Sequence, residues 1–306
     1  VVRSKLSEVF SNYKVKQVDK NDYAPGFKDK IMSFLNAKKV EGKSRTTLKG
    51  YMLELRMFMR FINNDKSIHE ITQADIRNYL ASNHDWKLST IGRKLTTLRS
   101  FFSWLVTENI LRYDPTVKIN PPRPDDEMPK TITIEELEML REACKTRRQR
   151  ALLEVLYSTG CRLSEIKDAN VDDVNFQNNS FIVKGKGRKE REVYLSFKAS
   201  YHLKLYLYER KGCDDGSLFC RERRPWTRLC DRSLGREIDK IAENVLEKKI
   251  SPHTLRRTFA TLTLNNGAEL TAVQELLGHT SPNTTLRYAR ITEERKKEQH
   301  RKYLIQ

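Results

Sequence analysis

The segment "DPTVKINPPRPDDEMPK", residues 114–130, carries five prolines and no hydrophobic period. Proline fixes its own φ and has no N–H to donate, so neither a helix nor a central strand can run through such a stretch. The 306-residue chain is therefore expected to fold as two units joined by an extended, semi-rigid linker. Before the linker the hydrophobic pattern is helical throughout, and after it helices alternate with one hairpin. The expected fold class is mainly α with a small antiparallel β-sheet: an all-helical domain over 25–113 and an α+β domain over 131–292. Residues 1–24 are polar and weakly periodic, which suits a flexible arm. Residues 293–306 suit a charged tail helix whose apolar surface is confined to Tyr303, Leu304 and Ile305.

In the first half, Ser44 is placed to cap a helix that turns Leu48, Tyr51, Leu55 and Phe58 to one side. Thr72 opens a second helix. A third, "KLSTIGRKLTTLRSFFSWLVTENIL", turns Ile91, Leu95, Leu98, Phe102 and Leu105 inward. Two of these helix starts are rich in groups suited to phosphate: Lys43, Ser44, Arg45 and Thr47, then Ser89, Thr90, Arg93 and Lys94. Ordinary capping and a solvated face would explain the same residues.

Charge bears on that choice. Lys and Arg number 58 against 40 Asp and Glu, a formal net charge of +18. Such an excess favours a polyanionic partner, nucleic acid first and an anionic membrane second. No apolar run approaches the length of a bilayer span, so no membrane association is expected. The N-terminal stretch has charges but no apolar core before a cleavage site, so no signal peptide is expected either. The five cysteines form no CxxC pair and the six histidines are scattered, which fits reduced thiols in the cytoplasm and no metal site. With no G-x-x-x-x-G-K-S/T loop present, no nucleotide cofactor is expected.

Beyond the linker, Thr133 and Glu136 form a capping-box pattern, and "RRQRALLEVLYSTG" reads as a helix ended by Gly160. Ser180–Val183 and Glu192–Leu195 alternate as strands about a Gly-Lys-Gly turn at 185–187. Helices are expected over 198–210, 233–248, 252–265, 270–277 and 282–288. Three stretches hold polar residues that this local structure does not require. In "STGCRLSE", Arg162 sits at a helix start, where a cation opposes the dipole and becomes a candidate anion ligand. Lys186 stands between two glycines at the hairpin tip. In "SPHTLRRTFATLTL", Ser251 caps a helix on which His253 and Arg256 share a face. Alone, each has a plain structural explanation. Further on, "LLGHTSPNTTLRYAR" places His279 at a turn and Tyr288 nine residues later.

Together these residues resemble the active set of the tyrosine recombinase family, the integrase and Xer-type site-specific DNA recombinases. The family's "TGxRxSE" arginine falls on Arg162 and its "GKGxK" lysine on Lys186. Its "HxLR" pair falls on His253 and Arg256, its "LLGH" histidine on His279, and its tyrosine on Tyr288. The match runs from about Thr131 to Tyr303. More loosely, the helical domain looks like the family's core-binding domain. Arg257 stands beside Arg256 and is a candidate for DNA contact, and Lys184 and Lys189 flank Lys186.

The resemblance implies a site-specific recombinase that needs neither metal nor ATP. Arg162, Arg256 and His279 would hold the phosphate oxygens while Tyr288 attacks. His253 would act as general base, Lys186 as the acid for the departing 5′-oxygen, and Glu165 as a support; an ordinary helix salt bridge would explain Glu165 as well. It also implies double-stranded DNA bearing a recombination site as partner, with a dimer on each site, a tetramer in synapsis, and room for accessory DNA-binding proteins. The short arm favours a compact Xer-like or mobile-element enzyme, cytoplasmic and nucleoid-associated. A type IB topoisomerase and a non-catalytic architectural DNA-binding protein are the alternatives.

Overall fold

The computed structural model describes residues 26–62, 66–123, 130–185, 190–210, 212–213, 215–243, 245–279, 281–286, 288 and 300–302. The chain divides into two compact units, Val1–Asp126 and Glu127–Gln306. The expected arm at 1–24 lies outside the described residues, as does the expected tail apart from 300–302.

The first unit contains α1 (Phe27–Val40), α2 (Arg45–Phe61), a 3-10 turn (Ile68–Glu70), α3 (Gln73–Ala81) and α4 (Leu88–Thr107). Local chemistry sets the helix starts. Ser44 Oγ accepts from the Thr47 N–H at 3.2 Å. Thr72 and Asp75 close a reciprocal box, each side chain accepting from the other's backbone N–H. Long-range packing holds the helices together: Phe34, Leu55, Phe58, Phe101, Phe102 and Leu105 are fully buried. Phe34 meets Phe101 edge-on at 5.3 Å and Phe58 meets Tyr79 at 5.1 Å, each such pair adding about 0.5–1.5 kcal/mol beyond area burial. The inward face of α4 also takes in Phe101 and Trp104.

One residue on that face corrects the sequence reading. Lys94, expected at a phosphate, is only 2% exposed. Its Nζ donates to Glu54 Oε2 at 2.7 Å and to the Tyr79 hydroxyl at 3.1 Å. The ammonium also lies 4.0 Å from the centre of the Trp86 ring. A buried ammonium needs such partners, and they leave Lys94 no access to DNA.

Part of the proline-rich segment belongs to this unit too. Asp114 Oδ1 accepts from the backbone and hydroxyl of Thr116 at 2.7 and 2.6 Å. Ile119 is buried in the first core, and its carbonyl accepts from the Arg99 guanidinium. The composition marked a break in regular structure, but Asp114 folds the segment locally onto Thr116 and Ile119 finds a partner on α4.

The second unit runs α5 (Ile134–Glu142), α6 (Arg147–Thr159), α7 (Leu163–Asp168), β1 (Val174–Asn175), β2 (Ser180–Lys184), β3 (Glu190–Tyr194), α8 (Phe197–Glu209), α9 (Asp231–Glu243), α10 (Pro252–Asn265), α11 (Leu270–Leu277) and α12 (Pro282–Leu286). The strands form an antiparallel sheet in the order β1-β2-β3. Lys184 pairs with Glu190 and Val183 with Arg191, so β3 begins nearer the hairpin tip than the hydrophobic alternation suggested. β1, only two residues long, carries too little pattern to be read from sequence. α9 and α12 end earlier than their hydrophobic spacing implied.

α6 is the central element. Ala151, Leu152, Leu153, Val155 and Leu156 are all buried, as expected of a helix covered on every side. Its Glu154 is buried as well, accepting from Arg141 Nε at 2.7 Å and Arg150 Nε at 3.0 Å. A separate small cluster joins Ala260, Leu264, Val273, Leu277 and Tyr288. Among the described residues, no helix is long and apolar enough to cross a membrane.

Candidate active site

The site begins where α6 stops. Gly160 takes φ +59°, and a Cβ there would come within 2.4 Å of Phe259 Cδ1. Both the left-handed turn and the close packing therefore require glycine. The chain then turns through buried Cys161 to Arg162, the N-cap of α7. An arginine side chain has no acceptor to offer a helix N–H. Glu165 instead reaches back, its Oε2 accepting from the Arg162 backbone N–H at 2.8 Å and its Oε1 from Arg162 Nη1 at 2.8 Å.

Opposite this turn lies the C-terminal end of α11, closed by Gly278 at φ +62°. The last carbonyls of a helix have no intrahelical partner and carry the negative end of its dipole. Here three successive carbonyls each receive a guanidinium. Arg191 Nε donates to Leu276 O at 2.9 Å, Arg256 Nη2 to Leu277 O at 2.7 Å, and Arg162 Nη2 to Gly278 O at 3.3 Å. Arg256 also donates through Nη1 to Gly160 O at 2.7 Å, tying the two glycine turns together.

Gathering three cations requires compensation, and the helix end is joined in that role by Glu165. Burial would raise its carboxyl pKa, but hydrogen bonds from Arg191 and Arg162 and the Arg191 charge hold it below the usual range. Burial, and then the charge of Arg162, bring the Arg256 pKa down to about 10, which leaves it cationic at neutral pH. The Arg162 side chain remains 36% exposed and is open to a ligand.

His279 follows Gly278 directly. Its Nε2 lies 2.9 Å from Arg256 Nη2 and its Nδ1 2.8 Å from Thr285 Oγ1. Arginine can only donate, so Nε2 is the acceptor and Nδ1 bears the proton. The ring is kept neutral: burial first, then Arg256 and Arg162, lower its pKa to about 4. A direct hydrogen bond from Nε2 to a phosphate therefore requires the proton to change nitrogens. The Tyr288 ring stacks beside this imidazole at 6.3 Å and is 9% exposed. His253, exposed in the first turn of α10, has its pKa lowered by desolvation and by Arg257, Arg256 and Arg162.

Arg162, Glu165, Arg256, His279 and Tyr288 are thus joined by an unbroken chain of contacts, and His253 lies within the field of the same arginines. Lys186 and Lys189 lie outside the described residues; Lys184 is exposed and 3.6 Å from Glu190. Arg257 is half-buried on α10. In the first unit Lys43, Ser44, Arg45, Ser89 and Arg93 are exposed and Thr47 and Thr90 half-buried. α4 is N-capped by Lys87 without a side-chain bond, which places Ser89 and Thr90 within its first turn.

Two residues of the site escaped the sequence reading. Arg191 donates to both oxygens of Glu165, and Thr285 fixes the His279 ring. Arg191 did carry a signal: it shares the strand face of Val193, which is fully buried.

Comparison with known proteins places the chain in a family. Residues 130–295 match the phage integrase family, and residues 31–109 match the phage integrase N-terminal SAM-like domain. Tyrosine recombinase XerC of Oceanobacillus iheyensis is 34% identical over 291 residues, covering 90% of this chain and 94% of the relative. Tyrosine recombinase XerD of Halalkalibacterium halodurans is 32% identical over 283 residues, covering 87% and 94%. A crystal structure of the XerH site-specific recombinase bound to difH substrate, a pre-cleavage complex, has a TM-score of 0.71 and 25% identity over 88% of this chain and 82% of that one. A lambda integrase dimer bound to a COC′ core site shares the fold, with a TM-score of 0.71 at 18% identity over 84% of this chain and 96% of that one. Matched in both halves by integrase models and over nine-tenths of its length by a tyrosine recombinase, the chain belongs to the phage integrase family of tyrosine-type site-specific recombinases.

Proposed function

We propose that the protein cleaves and rejoins DNA at a recombination site by attack of the Tyr288 hydroxyl on a backbone phosphorus. The new bond joins the phenolic oxygen to phosphorus, and the bond to the 5′-oxygen breaks, giving a 3′-phosphotyrosine and a free 5′-hydroxyl. His253 takes the phenolic proton, and Lys186 supplies one to the departing oxygen. Arg162 and Arg256 stabilise the charge that builds on the non-bridging oxygens, where a planar fork outperforms an ammonium. His279 orients Arg256 from its neutral Nδ1–H form. Because the link keeps the phosphoester, a 5′-hydroxyl from another strand reverses it, and neither ATP nor a divalent ion takes part.

The observation that carries this reading is the convergence of Arg162 and Arg256 on the end of α11, with the Tyr288 ring beside His279. Incubating the protein with a nicked suicide duplex in EDTA should trap a covalent complex with wild type and none with Tyr288→Phe. Absence of an adduct with wild type, or its presence with Tyr288→Phe, overturns the assignment. Trapping that disappears only when EDTA is added overturns the metal-free chemistry.

Duplex DNA is bound by both units, the first through Lys43, Ser44, Arg45, Thr47, Ser89, Thr90 and Arg93, the second in part through Arg257. Two protomers occupy one site and four form the synapse, with accessory proteins at longer sites. Residues 293–306 carry the contact between protomers. Truncation after Ala289 should spare duplex binding and weaken synapsis; undiminished recombination by the truncated protein rejects that role. The XerC and XerD relatives support a compact Xer-like enzyme, which we assign to nucleoid DNA or to a mobile element.

A further inference from the structure

Arg191 is five residues beyond Lys186 in the sequence, and its side chain is turned back into the protein with 13% exposure. All of its nitrogens are engaged. Nε donates to Leu276 O, Nη1 to Glu165 Oε1 at 2.9 Å and Nη2 to Glu165 Oε2 at 2.7 Å, with Cys161 Sγ 3.9 Å from Nη2. It is not free to bind a phosphate.

Its effect on Glu165 follows from counting acceptor sites. A carboxylate offers about four lone-pair positions. Arg191 occupies two, the Arg162 backbone N–H a third and Arg162 Nη1 the last. Arg162 therefore holds Glu165 by one side-chain bond only, and its Nη2 makes just the long 3.3 Å contact to Gly278 O. Left to themselves, an arginine and a carboxylate close into a two-bond fork. Glu165, whose side chain is 2% exposed, would bind the nearest remaining cation strongly in Arg191's absence.

We infer that Arg191 is a positioning residue of the cleavage reaction: by saturating Glu165 it stops the Arg162 fork from closing on that carboxylate and leaves it turned toward the scissile phosphate. This rests on the proposed cleavage by Tyr288. It assigns Glu165 two opposed tendencies, orienting Arg162 when shared and sequestering it when not.

The test measures the rate of Tyr288 adduct formation on the suicide duplex for wild type, Arg191→Met, Arg191→Lys, Glu165→Gln and the double variant Arg191→Met with Glu165→Gln. Thermal unfolding is recorded for each. Arg191→Met should slow the adduct about 100-fold, the scale of losing one oriented donor to a transition-state oxygen. Neutralising Glu165 in that background should restore at least about tenfold, because a neutral amide releases Arg162. Arg191→Lys should fall between wild type and Arg191→Met. A merely structural role would restore adduct formation in the double variant only as far as it restores thermal stability, so a rescue that merely tracks the melting temperature, or no rescue, overturns the inference. So does an Arg191→Met protein that cleaves like wild type. If Arg191→Met does not fold, the same ordering is required of Arg191→Lys with and without Glu165→Gln. Failure of wild type to form any adduct would instead bring down the cleavage reading itself.

Discussion

Arg256 donates from Nη2 to Nε2 of His279 at 2.9 Å, and this bond makes the imidazole a neutral acceptor. Nδ1–H donates to Thr285 Oγ1 at 2.8 Å. The pair thus fixes a guanidinium and a ring tautomer together.

A pH signature follows. The His279 pKa is lowered from 6.5 to about 4 by burial and by Arg256 and Arg162. The unfolded imidazole gains a proton below about pH 6.5 and the folded one only near 4. Its contribution to stability is fully present above 6.5 and is lost as pH falls through that window. Nuclear magnetic resonance titration should find the His279 ring neutral at pH 5.5, and an inflection near 6.5 would contradict the assigned hydrogen bonds.

Gly160→Ala should destabilise the second unit by about 2 kcal/mol or more, since it adds both left-handed strain and a clash. The added Cβ meets Phe259 and Leu277, and the Gly160 carbonyl anchors Arg256. Adduct formation should fall with it. Urea unfolding supplies the check, and an unchanged midpoint would count against the packing described.

In the first unit, Lys94 and Arg45 should respond differently to substitution. Arg45→Ala should lower the salt dependence of duplex binding by about one counterion, whereas Lys94→Met should leave that slope alone. Glu54→Gln, which strands a buried ammonium against Trp86, should cost the unit about 3–5 kcal/mol. Salt titrations of binding and chemical melts separate these outcomes; a reduced slope in Lys94→Met would return Lys94 to the DNA surface.

These cases show which levels of the structure can be read from sequence. Caps at Ser44, Thr72, Thr133 and Ser251 depend on neighbours three residues away, so the sequence displays donor and acceptor together. Arg162, Arg256 and His279 stand out because each sits where local structure does not ask for it. Lys94 misled because its partner Glu54 lies 40 residues away, and a lysine at a helix start looks the same whether it meets a phosphate or a carboxylate. Arg191 was missed for the same reason, its carboxylate being 26 residues earlier. Electrostatic partners on different elements leave no mark on local periodicity.

The cysteines give a simple chemical readout. Exposed Cys230 has its pKa lowered by hydrogen bonds from Ser233, while burial pushes Cys144 up to about 12 and Cys161 up to about 11. Limiting iodoacetamide at pH 7.5 should therefore modify Cys230 well before those two, since the thiolate is the reactive form. Peptide mass mapping that finds Cys161 alkylated first would show that the turn before Arg162 opens readily.

Tyr288 packs in its own small cluster, apart from the main core on α6. The consequence is mechanical coupling: Leu277, in the cluster that seats Tyr288, also closes the helix end that anchors the arginines, so a local opening there loosens the tyrosine and the guanidinium anchors together.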